Sequence, residues 1–141
     1  MTIILDATDM ILGRFASALA KKLLMGEKIV VVNAEETVII GKKDNLFVEY
    51  KELHDRGHRY MGPFFPKVPH LVFKRTVRGM LPKQNRRGKA ALGRIMVHIG
   101  VPENLEGMKV ESLPEYKADL EKKKFVRLGD ICKHLGWVPR V

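Results

Sequence analysis

The chain has 141 residues, 45% of them hydrophobic, one cysteine and a formal charge of +10 at pH 7. That length suits one domain spanning residues 1–141, with a core that buries roughly two-thirds of the extended-chain surface. The lone Cys132 excludes an intramolecular disulfide, and the short aliphatic runs exclude a membrane span of the usual ~18 residues, so a cytosolic protein is expected.

Ile3-Ile4-Leu5 reads as a short buried strand ended by Asp6, with Asp9 as the N-cap of the next segment. Leu12, Phe15, Ala16, Leu19, Ala20 and Leu23 then recur at helical spacing, and Gly26 stands where a helix ends. Ile29 to Val32 is β-branched and continuous, the pattern of a strand in a covered parallel sheet. Val38-Ile39-Ile40 predicts a third strand, and Leu46, Phe47, Tyr50 and Leu53 a second helix. Residues 57–69 carry glycine, proline and aromatics and read as a loop. A helix opens at Pro69, with Phe73, Val77, Met80 and Leu81 on its apolar side, and Pro82 stops it. Gln84 to Leu92 predicts a shorter helix weakened by Gly88. Ile95, Val97 and Ile99 alternate as a fourth strand. Residues 101–114 read as loop, and 111–124 as a solvated helix or a protein contact. Leu128, Ile131, Cys132 and Leu135 form a last helical face closed by Gly136. Strands alternating with helices predict an α/β fold: a three-layer α/β/α domain with a mainly parallel, roughly four-stranded sheet and a basic loop-helix extension.

The charge is not spread evenly. Between Arg56 and Arg94 lie Arg56, Arg59, Lys67, Lys74, Arg75, Arg78, Lys83, Arg86, Arg87, Lys89 and Arg94, with no acidic residue among them. The remaining 102 positions hold 15 basic and 16 acidic residues, so this window carries the whole net charge. A block of one sign repels itself unless an anionic partner neutralises it. Seven of the eleven are arginine, suited to bidentate phosphate contacts and to stacking on bases. The expected partner is a nucleic acid. Tyr60, Phe64, Phe65 and His58 interleave with the charges and suit either stacking on unpaired bases or packing of the loop onto the core. Lys42 and Lys43 follow Gly41 at a strand-to-helix junction, where a bound phosphate would offset their unfavourable meeting with the helix dipole.

Catalytic and metal patterns are lacking. Gly41-Lys42 and Gly88-Lys89 have neither the hydroxyl residue nor the upstream glycine of a P-loop. His54 and His58 are separated by Gly57, and Cys132 and His134 have no second ligand pair. Cys132 lies on an apolar face, where thiols are inert. Two other readings stay open at this point. One is a nucleotide- or RNA-directed α/β enzyme using the polar cluster Asn33, Glu35 and Glu36 near Gly41. The other is a DNA-binding regulator, though no helix-turn-helix or zinc motif supports it.

Several strings together resemble a known family. Leu12-Gly13-Arg14 opens the first helix. Val31-Val32-Asn33-Ala34-Glu35 precedes Gly41-Lys42, and Val77-Arg78-Gly79-Met80-Leu81-Pro82 precedes a basic, glycine-containing turn and Ala91-Leu92. In this order, over about residues 2–102, the chain resembles the universal large-subunit ribosomal protein thirteen family. The ending of the bacterial members is absent, and Phe125 to Pro139 resembles the archaeal and eukaryotic branch. The resemblance implies a structural protein that binds large-subunit ribosomal RNA early in subunit assembly, beside neighbouring ribosomal proteins, with no enzymatic activity and no cofactor. Within the single domain, the charge marks a basic RNA-binding segment, 56–94, and the resemblance a C-terminal extension, 103–141. Arg78 carries over as a phosphate contact. Replacing Arg78 or Arg87 by alanine is therefore expected to weaken RNA binding without lowering the stability of the free protein.

Overall fold

Two apolar runs, β1 (Thr2–Asp6) and β2 (Lys28–Val32), pair in parallel, and β4 (Ile95–Val97) adds parallel to the far side of β2. A parallel pair needs a long crossover, and α1 (Leu12–Leu24) supplies it between β1 and β2. The computed structural model describes residues 2–139, so the end of the expected 103–141 extension lies outside the described residues.

The pleat sets which side chains meet the helices. The register places Leu5 beside Val31 and Ile29 beside Ile95. These residues form one cluster with Leu12, Phe15, Ala16, Leu19 and Leu23 of α1, and with Val72, Phe73 and Val77 of α3 (Pro69–Met80). Phe15 and Phe73 meet edge-on at 5.9 Å between ring centroids. Each such buried side chain contributes roughly 1.5–3 kcal/mol. Ala91 of α4 (Arg86–Gly93) completes that side. Ile4, Val30 and Met96 alternate to the opposite face and join neither hydrophobic cluster, and Met96 is 56% exposed.

The α/β class and the mainly parallel sheet match the expectation, but the sheet has three strands rather than four. The third expected strand, β3 (Val38–Ile40), leaves it and pairs antiparallel with β5 (Phe125–Arg127). The sequence pattern marks β3 as extended but does not name its partner, and β5 is too short for its alternation to stand out. Beside this ribbon, α2 (Lys43–Asp55) packs against α5 (Leu128–Leu135) through Leu46, Ile131 and Leu135. Leu128 and Cys132 of α5 reach the main core, so the C-terminal segment and β1 share one interior.

Three local expectations are corrected. Asp9 is not a helix cap: α1 begins after Ile11 without a side-chain cap, and Asp9, at φ +60, pairs with Arg127 at 2.8 Å. Met80 is exposed, because α3 ends there and its buried face runs through Val72, Phe73 and Val77 to Leu81. Residues 111–124 form no α-helix. Glu111 pairs its main chain with β1 instead, Asp6 N–H donating to the Glu111 carbonyl and Glu111 N–H to that of Ile4, both at 2.9 Å. Farther on, Ala118 N–H donates to the Asp9 carbonyl at 2.8 Å. Main-chain pairing of this kind leaves almost no side-chain signature.

Candidate nucleic-acid interface

The α3 helix is the frame of the basic surface. Its proline sits at the first turn, where a missing N–H costs nothing. Burial of Val72, Phe73 and Val77 against α1 turns Lys74, Arg75 and Arg78 outward. The chain then turns at Pro82 and begins α4, whose Gly88 is buried against that turn. A Cβ on Gly88 would lie 1.9 Å from the Pro82 carbonyl oxygen, a distance no side chain tolerates. Gly88 is thus a packing requirement rather than a weakness in the helix. It holds Lys83 and Lys89 close to Arg78.

Two clefts result. One, of about 360 Å³, is lined by Phe64, Leu71, Lys74, Arg75, Arg78 and Leu92 among others. Its neighbour, about 280 Å³, is lined by Arg78, Pro82, Lys83, Gly88, Lys89 and Leu92. They share Arg78 and Leu92, so five cations border one continuous surface without a carboxylate. Among the described residues, none of the eleven window cations forms a salt bridge. Burial, with His98 and Lys74 nearby, holds His70 below its ordinary value, so it adds little charge at pH 7.

Other expected site residues are placed differently. Arg87 and Arg94 turn back toward α1. Arg94 Nη1 donates to the Leu23 carbonyl at 2.7 Å, and Arg87 Nη2 to that of Leu24 at 3.0 Å. Both cations therefore sit on the negative end of the α1 dipole, where free carbonyls need partners. Arg75 ties the loop to α3: its guanidinium lies 5.1 Å over Phe65 and donates to the Phe64 carbonyl at 3.2 Å. An arginine has five donors, so much of its capacity remains outward. Lys42 and Lys43 stand at the start of α2 and Arg56 just past its end, roughly 20 Å apart at ~1.5 Å per residue. Lys43 lies 5.4 Å over Phe47, and Lys67 lines a separate cleft with Trp137. Arg59 is carried on the 58–62 turn beside Tyr60, and Arg86 is exposed at the first turn of α4.

The polar cluster at the strand ends is occupied internally. Asn33 adopts φ +58, and its amide donates to Asp6 Oδ1 at 3.1 Å. The same oxygen accepts the Thr8 hydroxyl at 2.6 Å and the Thr8 N–H at 2.9 Å. Burial alone would raise the Asp6 pKa, but these bonds outweigh it and hold the carboxyl below its ordinary value. Both Glu35 oxygens accept the Gly100 N–H, at 3.2 and 3.0 Å. Arg127, which carries no signal in the sequence, pairs with both Asp9 and Glu36. Its role is visible only once β5 sets it opposite β3.

Burial raises the Cys132 thiol to about 12, in keeping with an inert structural cysteine. A catalytic arrangement at Asn33–Glu36 would leave donors and acceptors aimed at a ligand. Here they are spent on the turns that join strand to strand.

Comparison with known proteins shows the family. The family model of ribosomal protein L13 matches residues 1–104. The large ribosomal subunit protein uL13 of Archaeoglobus fulgidus is 47% identical over 136 residues, 95% of this chain and 87% of its own length. Its counterpart in Methanococcoides burtonii is 45% identical over 139 residues, 96% of this chain and 98% of its own. That of Methanopyrus kandleri is 39% identical over 137 residues, 95% and 86%. The alignments run well past residue 104, in keeping with the archaeal character read in the C-terminal segment. The chain therefore belongs to the ribosomal protein L13 family, the family of the large-subunit protein uL13, and is a structural ribosomal protein rather than an enzyme.

Proposed function

We propose that this protein is held in the large ribosomal subunit by its basic face, which binds the phosphate backbone of large-subunit ribosomal RNA and supports early subunit assembly. The observation that carries the reading is the pair of adjoining clefts bordered by Lys74, Arg75, Arg78, Lys83 and Lys89 with no carboxylate between them. The other window cations, Arg56, Arg59, Lys67 and Arg86, extend this surface, and Lys42 and Lys43 offer a second, smaller contact. Arg87 and Arg94 take part from the positions in which they hold α1.

The mechanism is electrostatic. Each cation that meets a phosphate releases condensed counterions, so affinity falls steeply with salt. Phosphate contacts set position and orientation, while base contacts specify. Folded RNA hides its base edges in a deep, narrow groove, so a surface of this kind reads backbone shape and 2′-hydroxyls. Early action in assembly requires that the protein bind bare RNA before its neighbouring ribosomal proteins arrive.

The test is binding of the purified protein to protein-free large-subunit ribosomal RNA, beside duplex DNA and ATP at matched salt. Tight, salt-steep binding to the ribosomal RNA supports the proposal. Equal preference for duplex DNA, or saturable ATP binding with weak RNA affinity, refutes it.

A further inference from the structure

The segment between α2 and α3 shows three large side chains to solvent. Tyr60 is 77% exposed, Met61 88% and Phe64 64%. Such exposure in a slack loop would mean little, but this loop is built. His58 N–H donates to the Gly62 carbonyl and Gly62 N–H to that of His58, both at 2.9 Å, closing a tight hairpin. Tyr60 N–H donates to His58 Nδ1 at 3.2 Å. Gly57, at φ +104, lets the two arms approach, since a Cβ there would lie 2.5 Å from Pro63 Cδ. The base is tied down as well. Phe65 packs at 6.1 Å against Tyr50, its carbonyl lies 3.1 Å from His54 Nδ1, and Arg75 holds the Phe64 carbonyl. The loop thus divides its aromatics: Phe65 anchors it, and Tyr60 is displayed.

We propose that the 58–62 hairpin is a stacking element, with Tyr60 receiving an unpaired base of folded RNA and Met61 and Arg59 flanking that contact. The inference rests on the RNA-binding reading and names the part of the RNA this loop takes. Three observations carry it. The aromatic ring is offered on a fixed backbone, so little ordering entropy opposes binding. Arg59 lies over the Tyr60 ring at 5.6 Å from its centroid, supplying a cation at the ring while Tyr60 stays 77% exposed. Arg59 sits at the tip itself, and the segment that carries it holds no acidic residue from 56 to 94, a charge that attracts a polyanion and repels a basic protein surface. Unpaired bases are the part of folded RNA open to aromatic side chains.

Stacking and phosphate contacts differ in their response to salt, and the experiment uses that difference. The probes are a fully paired RNA duplex and the same duplex carrying a bulged 2-aminopurine, whose fluorescence reports stacking, together with protein-free large-subunit ribosomal RNA. Wild-type protein is expected to quench the bulged base and to prefer the bulged duplex. Tyr60→Ala is expected to abolish the quenching and to lower affinity for ribosomal RNA by about tenfold, with an unchanged salt slope. Tyr60→Trp keeps both signals. Because Tyr60 is exposed at the tip, the alanine variant keeps its fold, which circular dichroism checks. Wild-type-like quenching and affinity in Tyr60→Ala would overturn the stacking role while leaving the phosphate surface intact. A wild-type protein that binds none of the three RNAs would overturn the RNA-binding reading itself.

Discussion

Arg94→Ala tests whether a charge of the basic window also holds the fold. Arg94 is partly buried and donates to the Leu23 carbonyl at 2.7 Å, at the C-terminal end of α1. Its removal loses a charged hydrogen bond worth ~1.5–3 kcal/mol. It also loses a favourable charge–dipole contact, ~0.3–1 kcal/mol at an exposed helix end and up to ~2 when partly buried. The two overlap, and the Leu23 carbonyl keeps the Gly26 N–H at 3.1 Å, so it is not left bare. The net cost is about 2 kcal/mol, near the low end of the charged-bond range. For a chain of this length that lowers Tm by about 6–8 °C, interpolating between smaller and larger domains. Arg87 makes the same kind of bond from an exposed position, and its loss costs less, about 0.3–1 kcal/mol. The expectation that Arg87→Ala leaves stability untouched is revised accordingly. The assay is urea unfolding followed by circular dichroism, with Arg94→Lys as an intermediate case. A midpoint and slope for Arg94→Ala equal to those of wild type would refute the capping role.

The same geometry sets four further outcomes. Arg78→Ala, which removes no internal bond among the described residues, should leave the urea midpoint unchanged while reducing the magnitude of the RNA salt slope by about one. Gly88→Ala should destabilise by roughly 1–3 kcal/mol, because its methyl meets the backbone of Pro82 and forces α4 away; an unchanged Tm would contradict that packing. The Cys132 thiol should resist alkylation at pH 8 until the protein unfolds, and labelling at the rate of a free thiol would show it accessible after all. Asp6 has a folded pKa below its unfolded one, so its contribution is complete above the unfolded value and is lost as pH falls through the folded value. Asp6→Asn should therefore flatten the acid limb of the stability profile, and an unaltered limb would exclude Asp6 as its source.

Much of the fold is legible in the sequence. The face of α1 from Leu12 to Leu23, the α3 start at Pro69 and the α5 face of Leu128, Ile131, Cys132 and Leu135 stand where the periodicity puts them. Periodicity reports burial of a helix face directly, so such elements are readable. What it does not report is pairing. β3 and β5 are three residues each, and their union across 87 positions, from Ile39 to Val126, leaves no local pattern. The interface shows the same division. Charge sign and density locate the basic window, but charge does not say which way a side chain turns. Arg78 faces outward, whereas Arg94, in the same window, turns inward to α1 because the last carbonyls of that helix lie within its reach. Gly88 is misread from the sequence for a similar reason: helix propensity describes the local chain, and its need for glycine comes from Pro82 across a turn.

The measurement that tests the central claim most directly is the salt dependence of binding to protein-free large-subunit ribosomal RNA for wild type and for a Lys74→Ala, Arg78→Ala, Lys89→Ala triple variant. All three residues border the two clefts, and among the described residues none of the three side chains has a hydrogen-bond or salt-bridge partner within the protein. The triple variant should fold with wild-type stability and show a log–log slope shallower by about three, one for each lost phosphate contact. A slope equal to that of wild type would contradict the account and move the RNA-binding surface away from α3 and α4.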